Sequence, residues 1–339
     1  MVFDSPRYIN AVNDLAAEIT APGGKVLVTG ASGLIGSCII DALTQANALY
    51  GRDFTIYAMG RSREKLEARF GSSAGVRIVP QDVTQPIEID SLDYIIHAAS
   101  NADPRTYALY PAETIMTNVL GAKSVLEYCR SHSTRALLTS TFEVYGKLGK
   151  DEYTEEDFGT VNQNIIRSCY PESKRTAELL FRAYHGEYGT DCVIARLASI
   201  YGPTMQADDS KAHAQFFRNA LAGEDIVLKS EGTQKRTYCC VFDAVSGIFA
   251  VLFKGKSGEA YNVANGKSIA TIAEVARAVA DLAGTKVVFD ISDEFKGKGF
   301  APPQNCVLVT EKLESLGWEG RYSLTEGLSA TLEILKETQ

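Results

Sequence analysis

Residues 25–36 read Lys25-Val26-Leu27-Val28-Thr29-Gly30-Ala31-Ser32-Gly33-Leu34-Ile35-Gly36, a short apolar run followed by three glycines spaced three apart. Val26, Leu27 and Val28 suit a strand buried on both faces. Gly30 permits the tight turn out of that strand, Gly33 lets the backbone approach a pyrophosphate, and Gly36 lets the next helix pack closely on the sheet. That helix then offers phosphates its unpaired N–H groups and the positive end of its dipole. The G-x-x-G-x-x-G spacing differs from the common G-x-G-x-x-G, and a glycine-rich turn of purely structural purpose looks the same.

Outward from this segment, strand-like runs alternate with helix-like stretches over the first 200 residues. Thr55–Met59, Val76–Val79, Tyr94–His97, Ala136–Thr139 and Cys192–Leu197 read as buried strands, and Glu64–Phe70, Ala112–Cys129 and Glu172–Tyr188 as helices. This alternation predicts an α/β fold, a Rossmann-type doubly wound parallel sheet with helices on both faces. After Gly202-Pro203 the elements shorten and turns multiply, as in a smaller C-terminal α/β substrate lobe. Later helices are read at Ile272–Leu282, Glu311–Leu316 and Leu324–Leu335. The expected division is an N-terminal helical extension at 1–22, a cofactor-binding domain at 23–198 to which 237–264 returns, and a lobe from 199–236 and 265–339. Tyr8, Val12, Leu15 and Ile19 recur at helical spacing in the extension.

With 339 residues the chain can bury a sizeable core, and a net charge of −8 argues against a nucleic-acid or anionic-membrane surface. No apolar stretch has the length of a membrane span, and Asp4, Arg7, Asp14 and Glu18 do not suit a secretory signal. The seven cysteines are odd in number and lack a Cys-x-x-Cys, and the four histidines are scattered, so neither a disulfide framework nor a metal site is expected. A reducing cytoplasm fits this usage.

Tyr170-Pro-Glu-Ser-Lys174 places a phenol and an ammonium one helical turn apart on one face. An ammonium beside a phenol favours the phenolate and makes Tyr170 a candidate general base. A Tyr-x-x-x-Lys occurs about once by chance in a chain of this composition. Its position adds weight: it opens a helix after a strand that ends in Ser140-Thr141, where such sheets keep their chemistry.

Val28–Gly36, His97-Ala98-Ala99-Ser100, Asn118-Val119-Leu120-Gly121, Ser140-Thr141-Phe142-Glu143-Val144-Tyr145-Gly146, Tyr170/Lys174, Arg196, Tyr201-Gly202-Pro203 and Leu316-Gly317-Trp318 follow one another in a familiar order. The chain thereby resembles the extended short-chain dehydrogenase/reductases of the nucleotide-sugar epimerase, dehydratase and decarboxylase branch. Arg167-Ser168-Cys169-Tyr170 and Gln234-Lys235-Arg236 look most like UDP-glucuronate decarboxylases.

The resemblance implies transient oxidation of a nucleotide-diphosphate sugar. Tyr170 would take the C4 hydroxyl proton while hydride passes to the nicotinamide, Lys174 would hold the phenolate and the cofactor ribose, and Thr141 would bond the reacting oxygen. The resulting 4-keto sugar permits epimerisation, elimination or decarboxylation. Cofactor contacts are implied for Gly30, Ser32, Gly33, Leu34, Ile35 and Gly36 in the glycine loop, and for Gly60 and Arg61 after the second strand. Asp82 and Val83 near the adenine, Ala98 and Ala99, and Tyr170 and Lys174 complete the implied set. Asn118 would order the central helix.

Three departures matter. Phe142 stands where dehydratases carry Asp and decarboxylases Ser, so it can neither protonate a leaving C6 hydroxyl nor bond a uronate carboxylate, although Glu143 still offers a base near C5. Ser199 replaces an Asn, and Lys229 occupies the place of an aromatic that stacks on the base. The expected substrate contacts are therefore Phe142, Ser199, Lys229 and Arg236. Gly60-Arg61-Ser62-Arg63 lacks the acidic residue that binds the ribose of NAD, and Arg61 suits either a 2′-phosphate or adenine. The cofactor reads as NAD, with NADP open. The first reading is an epimerase working through a 4-keto sugar. A decarboxylase-like or dehydratase-like lyase is the alternative, and a catalytically inactive cofactor-binding protein a third. Second apolar stripes on Ala112–Cys129 and Glu172–Tyr188 predict a homodimer.

Overall fold

The structure is a computed structural model that describes residues 3–291 and 304–338; part of the expected lobe, 292–303, lies outside the described residues. Seven parallel strands form the main sheet. Five of them are β1 (Gly23–Thr29), β2 (Asp53–Gly60), β3 (Val76–Pro80), β4 (Tyr94–His97) and β5 (Arg135–Thr141), and Cys192–Leu197 and Ala260–Val263 complete it. Across the sheet the order is Ala260–Val263, Cys192–Leu197, β5, β4, β1, β2, β3. Strand order reverses between β1 and β4, and in an open α/β sheet the ligand crevice opens beyond the carboxyl ends at that point. The doubly wound sheet expected from the sequence is present.

Helices α1 (Pro6–Glu18), α2 (Leu34–Tyr50), α3 (Arg63–Phe70), α4 (Pro104–Leu109), α5 (Pro111–His132) and α6 (Cys169–Tyr188) flank the first part of the sheet. The long apolar runs of β1, β4, β5 and Cys192–Leu197 are buried because helices cover both faces. Helix α1 buries Tyr8, Val12 and Leu15 at the spacing read from the sequence, and the Tyr8 hydroxyl donates to Asp41 of α2 at 2.7 Å. Beyond the sheet, Ser199–Tyr201, Lys235–Cys240 and Ile269–Thr271 form a small sheet, with helix Ala212–Ala222 between the first two in sequence. All seven cysteines are free and buried. No helix among the described residues is long and apolar enough to cross a membrane, and no group of potential metal ligands occurs among them.

Candidate active site

The turn from β1 to α2 is shaped by its glycines. Gly30 has φ +65°, and a Cβ there would lie 2.7 Å from the Ala98 carbonyl oxygen and 2.8 Å from the Ala99 nitrogen. A Cβ on Gly36 would lie 2.5 Å from the Gly30 carbonyl oxygen, so α2 reaches the turn only because position 36 is bare. Gly33 is the N-cap of α2 and no side chain caps it, which leaves the first-turn N–H groups for a phosphate. These features fit a dinucleotide pyrophosphate over Gly30, Ser32, Gly33, Leu34, Ile35 and Gly36. At the reversal point Thr29 Oγ1 lies 2.9 Å from His97 Nδ1 and accepts from the Ala99 N–H at 3.1 Å, which ties β1 to β4. Burial and the Lys174 charge push His97 down to about 3, so its ring is neutral.

Beyond β2, Gly60 packs on Leu66, and Arg61 forms an ion pair with Glu113 of α5 at 2.7 Å. A 2′-phosphate would have to compete with Glu113 for that guanidinium, which favours NAD over NADP. Asp82 accepts from the Thr84 N–H at 2.9 Å and hydroxyl at 2.8 Å; these bonds and the Arg61 charge outweigh desolvation and hold its carboxyl below the usual range. Val83 is buried against Gly121, where a Cβ would come within 2.9 Å of its methyl group.

Helix α6 carries the reactive pair. Tyr170, Lys174 and Glu178 follow one another at one-turn intervals and all are buried. Lys174 Nζ donates to the Thr139 carbonyl at 2.9 Å, and burial pushes it down to about 8 against the opposing pull of Glu178. Tyr170 is pushed well up, first by burial and then by the Glu143 charge, while its hydrogen bond with Thr141 and the Arg167 charge pull it down. The expected lowering of Tyr170 by Lys174 is therefore not seen. The ammonium is directed to the Thr139 carbonyl, and Thr141 and Arg167 supply the stabilisation. Asn118 joins α5 to α6: it accepts from the Ser100 hydroxyl at 2.8 Å and donates to the Ser173 hydroxyl at 2.9 Å.

Sequence reasoning missed several neighbours. Arg167 grips Glu143 with two hydrogen bonds, at 2.8 and 3.1 Å, and donates to the Tyr107 hydroxyl at 3.1 Å. The Tyr107 ring stacks on Tyr170, with centroids 5.2 Å apart and planes 15° apart. Glu178 pairs with Arg196 at 2.8 Å and accepts from Ser140 at 2.5 Å. Its place one turn beyond Lys174 was a usable signal; Tyr107 offered none. From the segment after Gly202-Pro203, Thr204 donates to the Leu34 carbonyl and Gln206 to the Ser32 carbonyl, both at 2.7 Å.

Of the four expected substrate contacts, two come together. The Arg236 guanidinium lies 5.3 Å from the centre of the Phe142 ring, directly after Thr141, and Arg236 Nε is buried without a partner. Ser199 is half-buried and pairs with Tyr238 in the lobe sheet. Lys229 forms an ion pair with Asp290, where the neighbouring strands Ile226–Leu228 and Val287–Phe289 end.

Residues 26–264 match the NAD dependent epimerase/dehydratase family. The chain belongs to that family. It is an NAD-dependent enzyme of nucleotide-sugar chemistry, and the glycine cradle and Arg61–Glu113 pair described above fit NAD. Among its relatives is UDP-glucuronic acid decarboxylase 6 of Arabidopsis thaliana, 36% identical over 306 residues, covering 90% of this chain and 86% of that protein. UDP-glucuronic acid decarboxylase 1 of Xenopus tropicalis is 30% identical over 316 residues, 92% of this chain and 72% of that protein. The dTDP-glucose 4,6-dehydratase DesIV of Streptomyces venezuelae, solved with NAD bound, superposes with a TM-score of 0.79 at 26% identity, covering 92% and 97% of the two chains.

Proposed function

We propose that this enzyme oxidises UDP-glucuronate at C4 and releases its C6 carboxylate as carbon dioxide. The observation that carries the reading is Arg236: a half-buried guanidinium with an unpartnered Nε–H, set over the first residue after Thr141. A cation so placed suits a sugar that bears a carboxylate. The relatives named as decarboxylases support the same choice over the epimerase expected first.

NAD, held over the Gly30–Gly36 turn, would supply reversible hydride transfer. Tyr170, as phenolate, takes the C4 hydroxyl proton, with Thr141 bonding the same oxygen. Lys174 would hold the cofactor ribose, while Thr141 and the Arg167 charge favour the phenolate. Once C4 is a ketone the substrate is a β-keto acid. The C5–C6 bond breaks, its electron pair passes into the C4–C5 enolate, and C5 is then protonated. This step needs no acid at C6, which Phe142 does not provide, whereas loss of water from C6 does. The Phe142 ring also withholds hydrogen bonds from the carboxylate, which favours its loss as a neutral molecule.

Phe142 favours a second reading, epimerisation at C4 of the same substrate, because the hydroxyl that decarboxylases place there is missing. Mass spectrometry of the product from UDP-glucuronate separates the two. Loss of about 44 mass units, the carbon dioxide of the proposed step, supports decarboxylation, and an unchanged mass with altered stereochemistry supports epimerisation. Arg236→Ala should raise KM for UDP-glucuronate at least about tenfold, roughly 1.4 kcal/mol. The working unit is proposed to be a homodimer joined through α5 and α6, whose outer faces expose Ile115, Met116, Leu120, Leu179 and Tyr188.

A further inference from the structure

Ser37 lies four residues beyond the N-cap of α2 and is fully buried, a place where an apolar side chain would ordinarily pack. Its hydroxyl donates to the Gly33 carbonyl, which also accepts from the Ser37 N–H at 3.1 Å. Back-bonding of this kind slightly destabilises a helix, so helix formation alone gives no reason for it. The Ser37 oxygen in turn accepts from Arg69 Nη2 at 2.7 Å. Arg69 lies in the last turn of α3, where a basic side chain ordinarily serves the carboxyl end of its own helix or faces solvent. It reaches instead across 32 positions of sequence to the opening of α2.

The Gly33 carbonyl is one end of a planar peptide unit whose other end is the Leu34 N–H. Leu34 is the first residue of α2, and its N–H is one of the orphan donors left for a pyrophosphate. Holding the carbonyl therefore aims the N–H. The next unit is braced in the same way: the Leu34 carbonyl accepts from the Thr204 hydroxyl at 2.7 Å, and its peptide carries the Ile35 N–H. Two successive donors offered to the phosphates are thus each fixed through the carbonyl behind them. A hydrogen bond to a carbonyl also polarises its peptide and strengthens the N–H at the other end, and a charged donor at the head of the chain adds to this.

We infer that Arg69 and Ser37 are positioning residues for NAD: the guanidinium holds the Ser37 hydroxyl, the hydroxyl holds the Gly33 carbonyl, and the Leu34 N–H is thereby set towards the pyrophosphate. Neither residue takes part in hydride or proton transfer.

The test is equilibrium binding of NAD, ADP-ribose and adenosine to the full-length protein, comparing wild type, Ser37→Ala, Arg69→Met, Arg69→Lys and the Ser37→Ala/Arg69→Met double variant. Adenosine, followed by its competition with ADP-ribose, shares the adenine end of the site and has no phosphate. Alanine removes only the hydroxyl, methionine keeps an apolar stem without a donor, and lysine restores a charged donor. NAD and ADP-ribose should bind about tenfold more weakly to Ser37→Ala and to Arg69→Met, with part of the loss regained in Arg69→Lys. Adenosine should stay within about twofold throughout, and the double variant should be no weaker than the weaker single one, because both residues act in one chain. Unchanged ADP-ribose binding in either single variant overturns the inference. So does an equal loss for adenosine, which would make the pair a support of the fold at large, and so do additive losses in the double variant. The bracing serves the cofactor whichever sugar is turned over, so product mass decides the decarboxylase reading and these binding constants decide the role of Arg69 and Ser37.

Discussion

Arg167 clamps Glu143 through both carboxylate oxygens, at 2.8 and 3.1 Å, within a cluster where Tyr107 stacks on Tyr170. The pair sets opposing charges beside the reactive phenol: Glu143 raises Tyr170 and Arg167 lowers it. Neither side chain can be removed without exposing Tyr170 to the other.

The pH profile should show this directly. A phenol that acts as phenolate gives a rate that climbs as pH rises through its pKa. Glu143→Gln removes a charge that raises Tyr170, so the climbing limb of kcat/KM should move to lower pH. Arg167→Met removes a charge that lowers it and frees the Glu143 anion, so the limb should move to higher pH. Shifts in the same direction for both variants would rule out the assignment.

Tyr170→Phe should reduce kcat by at least about a thousandfold while NAD binding stays within about twofold, because only the proton acceptor is lost. Lys174→Met should weaken NAD binding and lower kcat with it, since its ammonium is the group proposed to hold the cofactor ribose. Single-turnover kinetics and fluorescence titration with NAD measure the two effects.

His97 ties stability to acid pH. Its folded-state value, about 3, lies below the ordinary 6.5, so the unfolded chain binds the extra proton between these values. Its contribution is complete above pH 6.5 and is lost as pH falls towards 3, at about 1.4 kcal/mol per pH unit where the difference is full. Urea midpoints of His97→Asn should be lower at pH 7 and should fall less steeply between pH 6.5 and 4.

The α5–α6 face supplies a fourth test. Leu179 is 66% exposed and Met116 53%, values that leave much apolar area in water on a lone chain. Leu179→Glu should convert a dimer at micromolar concentration to monomer in light scattering. A wild type that is monomeric there would dispose of the proposed assembly.

The fold was legible because its decisive residues act locally. Each glycine at 30, 33 and 36 answers to backbone within a few positions or to the adjoining strand, and strands covered on both faces read as unbroken apolar runs. The Tyr170/Lys174 pair was visible for the same reason, being one turn of a single helix. What escaped joins distant segments: Glu143 and Arg167 stand 24 positions apart, and Arg167 and Tyr107 stand 60 apart. The direction of Lys174 was misjudged because its partner, the Thr139 carbonyl, is backbone and has no signature in the sequence. Lys229 was assigned by alignment with a family position, and only the structure shows its ion pair with Asp290.

The bonds from Thr204 to Leu34 and from Gln206 to Ser32 join the segment after Gly202-Pro203 to the glycine turn, and on the proposed function that segment would be a common wall of the cofactor and sugar compartments. Whatever steadies that wall from the nucleotide side steadies it for the sugar side, and the exchange is reciprocal by thermodynamic necessity. A dinucleotide bound over the glycine turn would thus be held partly by that segment, and its departure would require loosening it. An enzyme that borrows a hydride and gives it back has use for such an arrangement, because the borrowed pair of electrons must stay on board until the ketone is reduced.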